Sequence, residues 1–293
     1  MSQKIGVKRG TISLADHDPE WEVEAGRTIE KLNAIAGSVI RDIQHVGSTS
    51  IPTIKAKPII DIMAAVDSFE DFLKFEPELK SAGFYYRPKC QLNEQILFAC
   101  GSHYDGTGDI QTHFIHVVKN GSMTHRGYVN FRDYMLRHPD AAAEYEKLKV
   151  SLMKAAPIDA GREKYTAGKK DLIDHILRKA LVESFLGKTV SIEIDRPIGT
   201  IHPKHSDIVY PINYGYIPGV IGGDGEELDV YLLAVDHPVK SYRGRIIGII
   251  HRENDVEDKL VMAPENVTLS ENQISDMVRF QEQFYITHIQ TEL

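Results

Sequence analysis

Tyr210-Pro211-Ile212-Asn213-Tyr214-Gly215-Tyr216-Ile217, followed seven residues on by Asp224-Gly225-Glu226-Glu227-Leu228-Asp229-Val230, decides how the last third of the chain folds and what it can do. Around it, segments near 190–195, 209–217, 228–236, 245–251 and 259–263 are rich in Ile, Val and Tyr and are separated by Pro and Gly. That is the texture of short strands in a small barrel or sandwich. Ser270 with Gln273 makes a capping box ahead of a final helix running to about 285. Asp224 and Glu226 flank a turn centred on Gly225, and Asp229 opens the next strand, so these three carboxylates lie within a span of six residues. Such a group can converge on one point, and hard divalent cations take oxygen ligands that they share with substrate phosphates. A solvated acidic turn is the other reading of the same residues.

Working outward, the chain has 293 residues, enough for two domains. Hydrophobic residues make up 42% and charged residues 26%, the balance of a globular protein with a real core. The net charge of −8 weighs against nucleic acid as a partner, which calls for a clustered Lys/Arg surface. The two cysteines, Cys90 and Cys100, cannot make a disulfide framework. The first ten residues carry basic groups with no apolar stretch behind them, and no apolar run approaches the ~20 residues of a membrane span. We expect no membrane partner and a cytoplasmic location; self-association is left open.

Asp18-Pro19 opens the first helix, with Trp21, Ala25, Ile29, Leu32 and Ala36 on one face and Gly37 as its stop. Val39 to Val46 reads as a strand, Gly47-Ser48 as a turn, and Ile59 to Val66 as a buried strand carrying Asp61. A helix is expected over 67–82, strands near 84–89, 95–100 and 113–118, and helices over about 128–137, 140–155 and 161–186. In the last, Leu172, Ile173, Ile176, Leu177, Leu181 and Phe185 form an apolar stripe that we read as core. The domain boundary falls near 186–189, giving domains 1–187 and 188–293.

The two quoted blocks and their spacing resemble the signature of family I inorganic pyrophosphatases, Y-P-x-N-Y-G-[FY]-I followed by D-G-D-P-x-D-V. The resemblance implies a mainly-β domain, a small barrel with a terminal helix, that hydrolyses pyrophosphate with Mg²⁺ or Mn²⁺. It implies metal ligation by Asp224 and Asp229, activation of water by Glu226, and an approach of Tyr214 to the same site. Glu193, on an earlier strand, is expected nearby. The stretch Glu253 to Val261 resembles the family's second metal loop, so Lys259 is expected to contact phosphate. We take Asp258 as that loop's ligand, although the spacing leaves Asp255 and Glu257 open. Several family groups are replaced: the middle aspartate is Glu226, a lysine ahead of the early strand is Ser191, and His202, Lys204 and His205 stand where an arginine is used. The late Tyr-Lys pair is missing.

In the first half, Gly47-Ser48 follows a strand and Asp61 lies thirteen residues after Ser48 on another. A Gly-Ser turn can offer backbone N–H groups to a phosphate, with Asp61 holding a cation opposite. The stretch His45 to Ile62, together with Phe131-Arg132-Asp133-Tyr134, Tyr145, Lys149 and Tyr165 to Lys169, resembles the GrpB family over roughly residues 12–180. That family looks like a branch of the nucleotidyltransferase superfamily, which implies an α+β domain with a mixed sheet and flanking helices. By the same resemblance Gly47 and Ser48 cradle a nucleotide's phosphates, Asp61 binds metal, and Lys57 and Arg132 contact phosphate. The superfamily's second acid is Met63 here. One of His113 and His116 is expected beside Asp61, since residues three apart on a strand face opposite ways.

Three readings follow. The chain is an enzyme of metal-dependent phosphate chemistry acting on pyrophosphate or a nucleotide, in which transfer by one domain feeds hydrolysis by the other. Alternatively it is a regulatory protein that binds nucleotide and metal without turnover. Third, only the C-terminal domain acts, on a larger phosphate ester or nucleotide.

Overall fold

The computed structural model describes residues 5–11, 13–90, 94–155, 165–201 and 209–292. The chain divides into two compact units, Met1–Leu177 and Arg178–Leu293. The division falls within the helix Lys170–Glu183, ahead of the boundary expected after Gly187. The apolar stripe of that helix is correspondingly shared out: Leu172, Ile173 and Ile176 join a core of the first unit, and Leu181, Val182 and Phe185 join a core of the second.

Asp18 Oδ1 accepts the Glu20 N–H at 3.0 Å and starts α1 (Glu20–Ala36), with Trp21, Ala25, Leu32 and Ala36 buried along one face as the spacing predicts. The sheet beneath it contains β1 (Ile40–Val46), β2 (Ile60–Val66), β3 (Tyr85–Tyr86), β4 (Gln95–Cys100) and β5 (His113–Lys119), in the order β1-β2-β5-β4-β3. Only β2 and β5 run parallel, so the sheet is mixed. β2 reads as a continuous apolar run because both its faces are covered. Ile60, Ile62 and Val66 join the α1 core, while Met63 and Ala65 pack with Tyr128 and Val129 of α2 (Met123–Arg137). Helix α3 (Pro139–Ala155) and the start of α4 (Lys170–Glu183) pack over Ile51 and Ile54, in the loop after the Gly-Ser turn.

The helix expected over 67–82 is broken into Phe69–Leu73 and Glu76–Ser81. Pro77 lacks the N–H that would bond back to Leu73 and fits only the first turn of a new helix. Helix α2 begins earlier than expected, because the Ser122 side chain accepts the His125 N–H at 3.1 Å and caps it.

In the second unit the strands are β6 (Thr189–Arg196), β7 (Asn213–Ile221), β8 (Glu227–Leu232), β9 (Ser241–Arg252), β10 (Lys259–Ala263) and β11 (Thr287–Gln290), with α5 (Glu271–Glu282) behind its Ser270–Gln273 capping box. The order β10-β8-β7-β6-β9 closes through a β9–β10 pairing, which makes a five-stranded barrel; β11 extends it along β9. One face of these strands buries Ile192, Leu228, Val230, Leu232, Ile246 and Leu260. The other buries Tyr210, Tyr214 and Tyr231 against Ile274 and Val278 of α5.

Much of the Tyr210–Ile217 block is architectural. Asn213 is fully buried; its side chain donates to the Val235 and His237 carbonyls at 3.3 and 3.0 Å and accepts the Ile198 N–H at 3.3 Å. Gly215 lies so close to β6 that a Cβ would overlap the Glu193 carbonyl oxygen. The block therefore clamps a loop and lets β6 and β7 approach, which leaves Tyr214 and Tyr216 to face the carboxylates.

Candidate functional site

Strand pairing sets Glu193 opposite Tyr216 and Tyr216 opposite Asp229, and the pairing of Val230 with Leu260 brings Asp229 beside Lys259. Four strands thus carry one polar row, Glu193–Tyr216–Asp229–Lys259. The Tyr216 hydroxyl donates to Glu193 at 3.0 Å, and the Tyr214 hydroxyl donates to Asp229. Lys259, 5% exposed, places its ammonium between Asp229 and Glu257 and donates to both. Burial works against its charge, but the two carboxylates outweigh burial and raise its pKa. Asp224 caps the acidic turn, its Oδ1 accepting the Glu226 N–H at 2.9 Å, and Gly225 takes a φ of 92° that favours glycine. Glu226 is exposed at the tip.

The structure brings Glu257, not Asp258, to Asp229. Burial first, and then the charges of Asp229 and Asp224, hold Glu257 up at about 7 despite Lys259. Its Oε1 is buried without a hydrogen-bond partner. Asp258 turns the other way, to His251 Nδ1 at 2.8 Å, Lys179 Nζ at 2.9 Å and the Arg252 N–H at 3.1 Å. Burial would raise its pKa, but His251 and Lys179 hold it down at about 2. Asp255 pairs with Arg252 at 2.8 Å. The reason is alternation: in extended chain, Glu257 and Lys259 share a side and Asp258 takes the opposite one. That signal was available in the sequence.

A cation missed by sequence reasoning also borders the row. Arg196 lies over the Tyr214 ring at 5.0 Å, donates to the Tyr210 hydroxyl at 3.0 Å and pairs with Asp195 at 3.6 Å. Burial and then the Asp229 charge help to raise the Asp195 pKa, although Arg196 opposes them. His202, Lys204 and His205 lie outside the described residues.

Among the described residues, no three His, Cys, Asp or Glu side chains are already arranged to hold a metal ion. The donor set nevertheless fits a hard cation. Asp224, Asp229 and Glu257 are all oxygen donors, they exceed the charge of the one lysine between them, and a buried Glu257 oxygen lacks a partner.

In the first unit, Gly47 has φ 72°, and a Cβ there would come within 2.6 Å of Asp61 Oδ2. Asp61 Oδ1 lies 3.1 Å from His116 Nε2, and Tyr128 and Gln95 hold the other ring nitrogen at 2.9 and 3.2 Å. His113 is on the opposite face, 3.5 Å from Glu24. Ser48 shares a hydrogen bond with Tyr145. Arg132 donates to the His45 carbonyl at 3.0 Å and pairs with Asp133 at 2.7 Å. Lys57 sits half-buried in the turn entering β2. Half-buried His45, 2.9 Å from Thr49, is depressed to about 4, by desolvation above all, with Asp61 opposing and Arg132 assisting. Asp61 is thus the one carboxylate among the residues expected here to hold metal or phosphate, and Met63 is fully buried in an apolar cluster.

Residues 11–179, more than half of the chain, match the family model described as GrpB protein. The chain belongs to the GrpB family. Residues 180–290 match the model of inorganic pyrophosphatase, so the chain is a GrpB domain fused to a pyrophosphatase domain. The glutamate-rich protein GrpB of Alkalihalophilus pseudofirmus is 36% identical over 176 residues, which span 60% of this chain and 99% of that protein. The crystal structure of the conserved protein GrpB from Enterococcus faecalis matches with a TM-score of 0.52 at 26% identity, over 59% of this chain and 99% of that one. The soluble inorganic pyrophosphatase of Oryza sativa subsp. indica is 33% identical over 88 residues, 28% of this chain and 41% of that enzyme. The GrpB domain has the expected α+β fold and the pyrophosphatase domain the expected barrel with a late helix. No helix among the described residues is long and apolar enough to cross a membrane.

Proposed function

We propose that the C-terminal domain hydrolyses pyrophosphate or a related phosphoanhydride with Mg²⁺ or Mn²⁺, and that the GrpB domain binds the phosphates of a nucleotide through Gly47, Ser48, Lys57, Arg132 and Asp61. The observation that carries the first part is the Asp229–Lys259–Glu257 cluster with its partnerless buried Glu257 oxygen. Asp224, Asp229 and Glu257 would hold the cation. When bound, it supplies activation of water and neutralisation of the leaving phosphate.

The chain's own groups supply the rest. Lys259 is kept protonated by its two carboxylates and stands ready for a phosphate oxygen. Tyr214 orients Asp229 through its hydrogen bond. Exposed Glu226, one turn from Asp224, is placed to accept the proton of attacking water. Joined to a phosphate-handling GrpB domain, such a hydrolase would consume the pyrophosphate that nucleotidyl transfer releases.

A binding protein without turnover is the second reading, favoured because no three ligands are preassembled among the described residues. Phosphate release from pyrophosphate and from a nucleotide panel, with Mg²⁺ or Mn²⁺, separates the two. Release by wild type and loss in Asp229→Asn supports hydrolysis; no release from any substrate leaves the binding reading.

A further inference from the structure

Arg196 has no part in the function proposed above, although it borders the polar row of the barrel. An irregularity of β6 brings it there. Glu193 lies opposite Tyr216 and Arg196 opposite Tyr214, so three steps along β6 match two along β7, with a register shift between Ile194 and Arg196. The extra residue is a β-bulge, which re-aims the side chain that follows it. In a regular strand Glu193 and Arg196, three residues apart, would face opposite ways. With the bulge, both lie opposite tyrosines two residues apart on β7, and Tyr216 in turn lies opposite Asp229 on β8. Arg196 is thus two strands across and two residues along from Asp229, roughly 12 Å between backbones, a gap that an arginine side chain and a phosphate can bridge.

The guanidinium is held in place with most of its donors free. It lies over the Tyr214 ring at 5.0 Å and the Tyr210 ring at 5.7 Å, which orients its plane and leaves its edges open. Among the described residues it donates one hydrogen bond, to the Tyr210 hydroxyl at 3.0 Å. Its charge partner Asp195 stands 3.6 Å away, longer than a hydrogen bond. An arginine has five N–H donors, and this side chain is 29% exposed, so a ligand can reach the others. Arg252 gives the contrast: it is buried, donates twice to Glu282 and once to Asp255, and lies over the Tyr285 ring, as an architectural arginine does. Lys259 is also largely committed, with two of its three N–H groups on Asp229 and Glu257. A pyrophosphate carries several negative charges, and Arg196 is the bordering cation with donors left to meet them.

We propose that Arg196 is a substrate-binding residue of the barrel, whose free guanidinium edge takes phosphate oxygens, so that pyrophosphate is gripped from the Tyr214 side as well as from Lys259. The proposal rests on the reading of the barrel as a pyrophosphate site and names the residue that sets affinity there. A planar fork suits two oxygens of one phosphate, which a single ammonium cannot match.

The test is phosphate release from pyrophosphate with Mg²⁺ by full-length wild type, Arg196→Gln and Arg196→Lys, together with calorimetric titration of imidodiphosphate, a non-hydrolysable analogue. Asp229→Asn marks which imidodiphosphate binding belongs to the barrel, and circular dichroism confirms that each variant is folded. Arg196→Gln should raise KM at least tenfold, change kcat less than threefold and weaken imidodiphosphate binding at least tenfold. Arg196→Lys, which keeps the charge and loses the fork, should fall between it and wild type, and it decides alone should Arg196→Gln fail to fold. A fall in kcat with KM and imidodiphosphate affinity unchanged overturns the proposal, because Arg196 would then only brace Tyr214. Unchanged kinetics and binding overturn it as well. If wild type releases no phosphate, the hydrolysis reading fails and the titration decides: imidodiphosphate bound by wild type and more weakly by Arg196→Gln upholds the contact, whereas binding that ignores the substitution, or no binding, removes it.

Discussion

Replacing Lys149 with methionine exchanges a buried ammonium for an apolar side chain of similar length, and the consequence is a change in how stability depends on pH. Burial first, and then the Lys169 charge, depress Lys149 from 10.5 to about 7, with Glu146 opposing. A folded pKa below the unfolded one means that the native state binds fewer protons than the unfolded chain between those two values. Stability therefore rises with pH across the window from about 7 to about 10.5, at up to about 1.4 kcal/mol per unit. The full gap is worth up to about 5 kcal/mol, a ceiling, because water penetration and relaxation reduce the cost of burying a charge. The methionine variant lacks this contribution. It also lacks the bond to the Lys55 carbonyl, a loss of about 1 kcal/mol. At pH 7 the variant should be the more stable protein in the GrpB domain's transition, and by pH 9.5 most of that advantage should be gone. Urea titrations of both proteins at several pH values from 7 to 9.5 measure this, and other titrating groups cancel in the difference between them. Equal pH slopes would refute the reasoning, since they would mean that the native Lys149 keeps an ordinary affinity for its proton.

Outcomes are also expected for five further substitutions. Glu257→Gln should lower phosphate release at least tenfold, whereas Asp258→Asn should leave catalysis nearly intact and lower stability; Asp258→Asn should also flatten the loss of stability between about pH 4 and 2, because a carboxylate held at about 2 contributes stability above its unfolded pKa that disappears as pH falls through the folded one. Gly215→Ala should destabilise the barrel by about 3 kcal/mol or more in urea, as its Cβ would overlap the Glu193 carbonyl in the β6–β7 pairing. Removing one partner of the buried Arg252–Glu282 pair, by Glu282→Gln, should cost about 3 kcal/mol in the same measurement, because buried Arg252 would keep only the partly exposed Asp255 as its charged partner. Asp229→Asn should reduce phosphate release by more than a hundredfold, since it removes a ligand oxygen and a partner of Lys259 together.

The elements legible in the sequence were those whose pattern and tertiary environment agree. Gln95–Cys100 and Lys259–Ala263 lie where their apolar runs place them, because both faces of each strand are covered. Ser270 with Gln273 opens α5 as its capping box requires. Thr287–Gln290 was not anticipated: Thr, His, Ile and Gln give no apolar alternation, and the segment is a strand only because it lies along β9 at the barrel's edge. Site residues divide in the same way. Asp224, Glu226 and Asp229 announce themselves because a turn and a strand start bring them close in sequence. Glu257 was passed over for its neighbour because a run of acids does not say which ones face inward, although counting alternate positions from Lys259 does. Arg196, Lys149 and Lys169 were assigned no role because a basic residue in a strand or helix ordinarily lies in solvent. Only the three-dimensional burial of Lys149 beside Tyr145, and the stacking of Arg196 on Tyr214, mark them out.

The two domains carry different charge arithmetic. In the barrel, Asp229 and Glu257 hold one ammonium between them and Asp224 adds a further charge, so the cluster is in deficit of positive charge and a phosphate would need cations held by the carboxylates. In the GrpB domain, Lys149 is buried with its ammonium over Tyr145 and on the Lys55 carbonyl, while Asp61 pairs with His116. The first arrangement suits hydrolysis, in which charge developing on a leaving phosphate is met by metal and lysine together. Chelation should therefore stop phosphate release, because EDTA would remove the cation that the carboxylates are proposed to hold. Phosphate release that persisted in EDTA would refute the metal-dependent reading of the barrel, and Lys259 with its neighbours would then have to meet the leaving phosphate's charge alone.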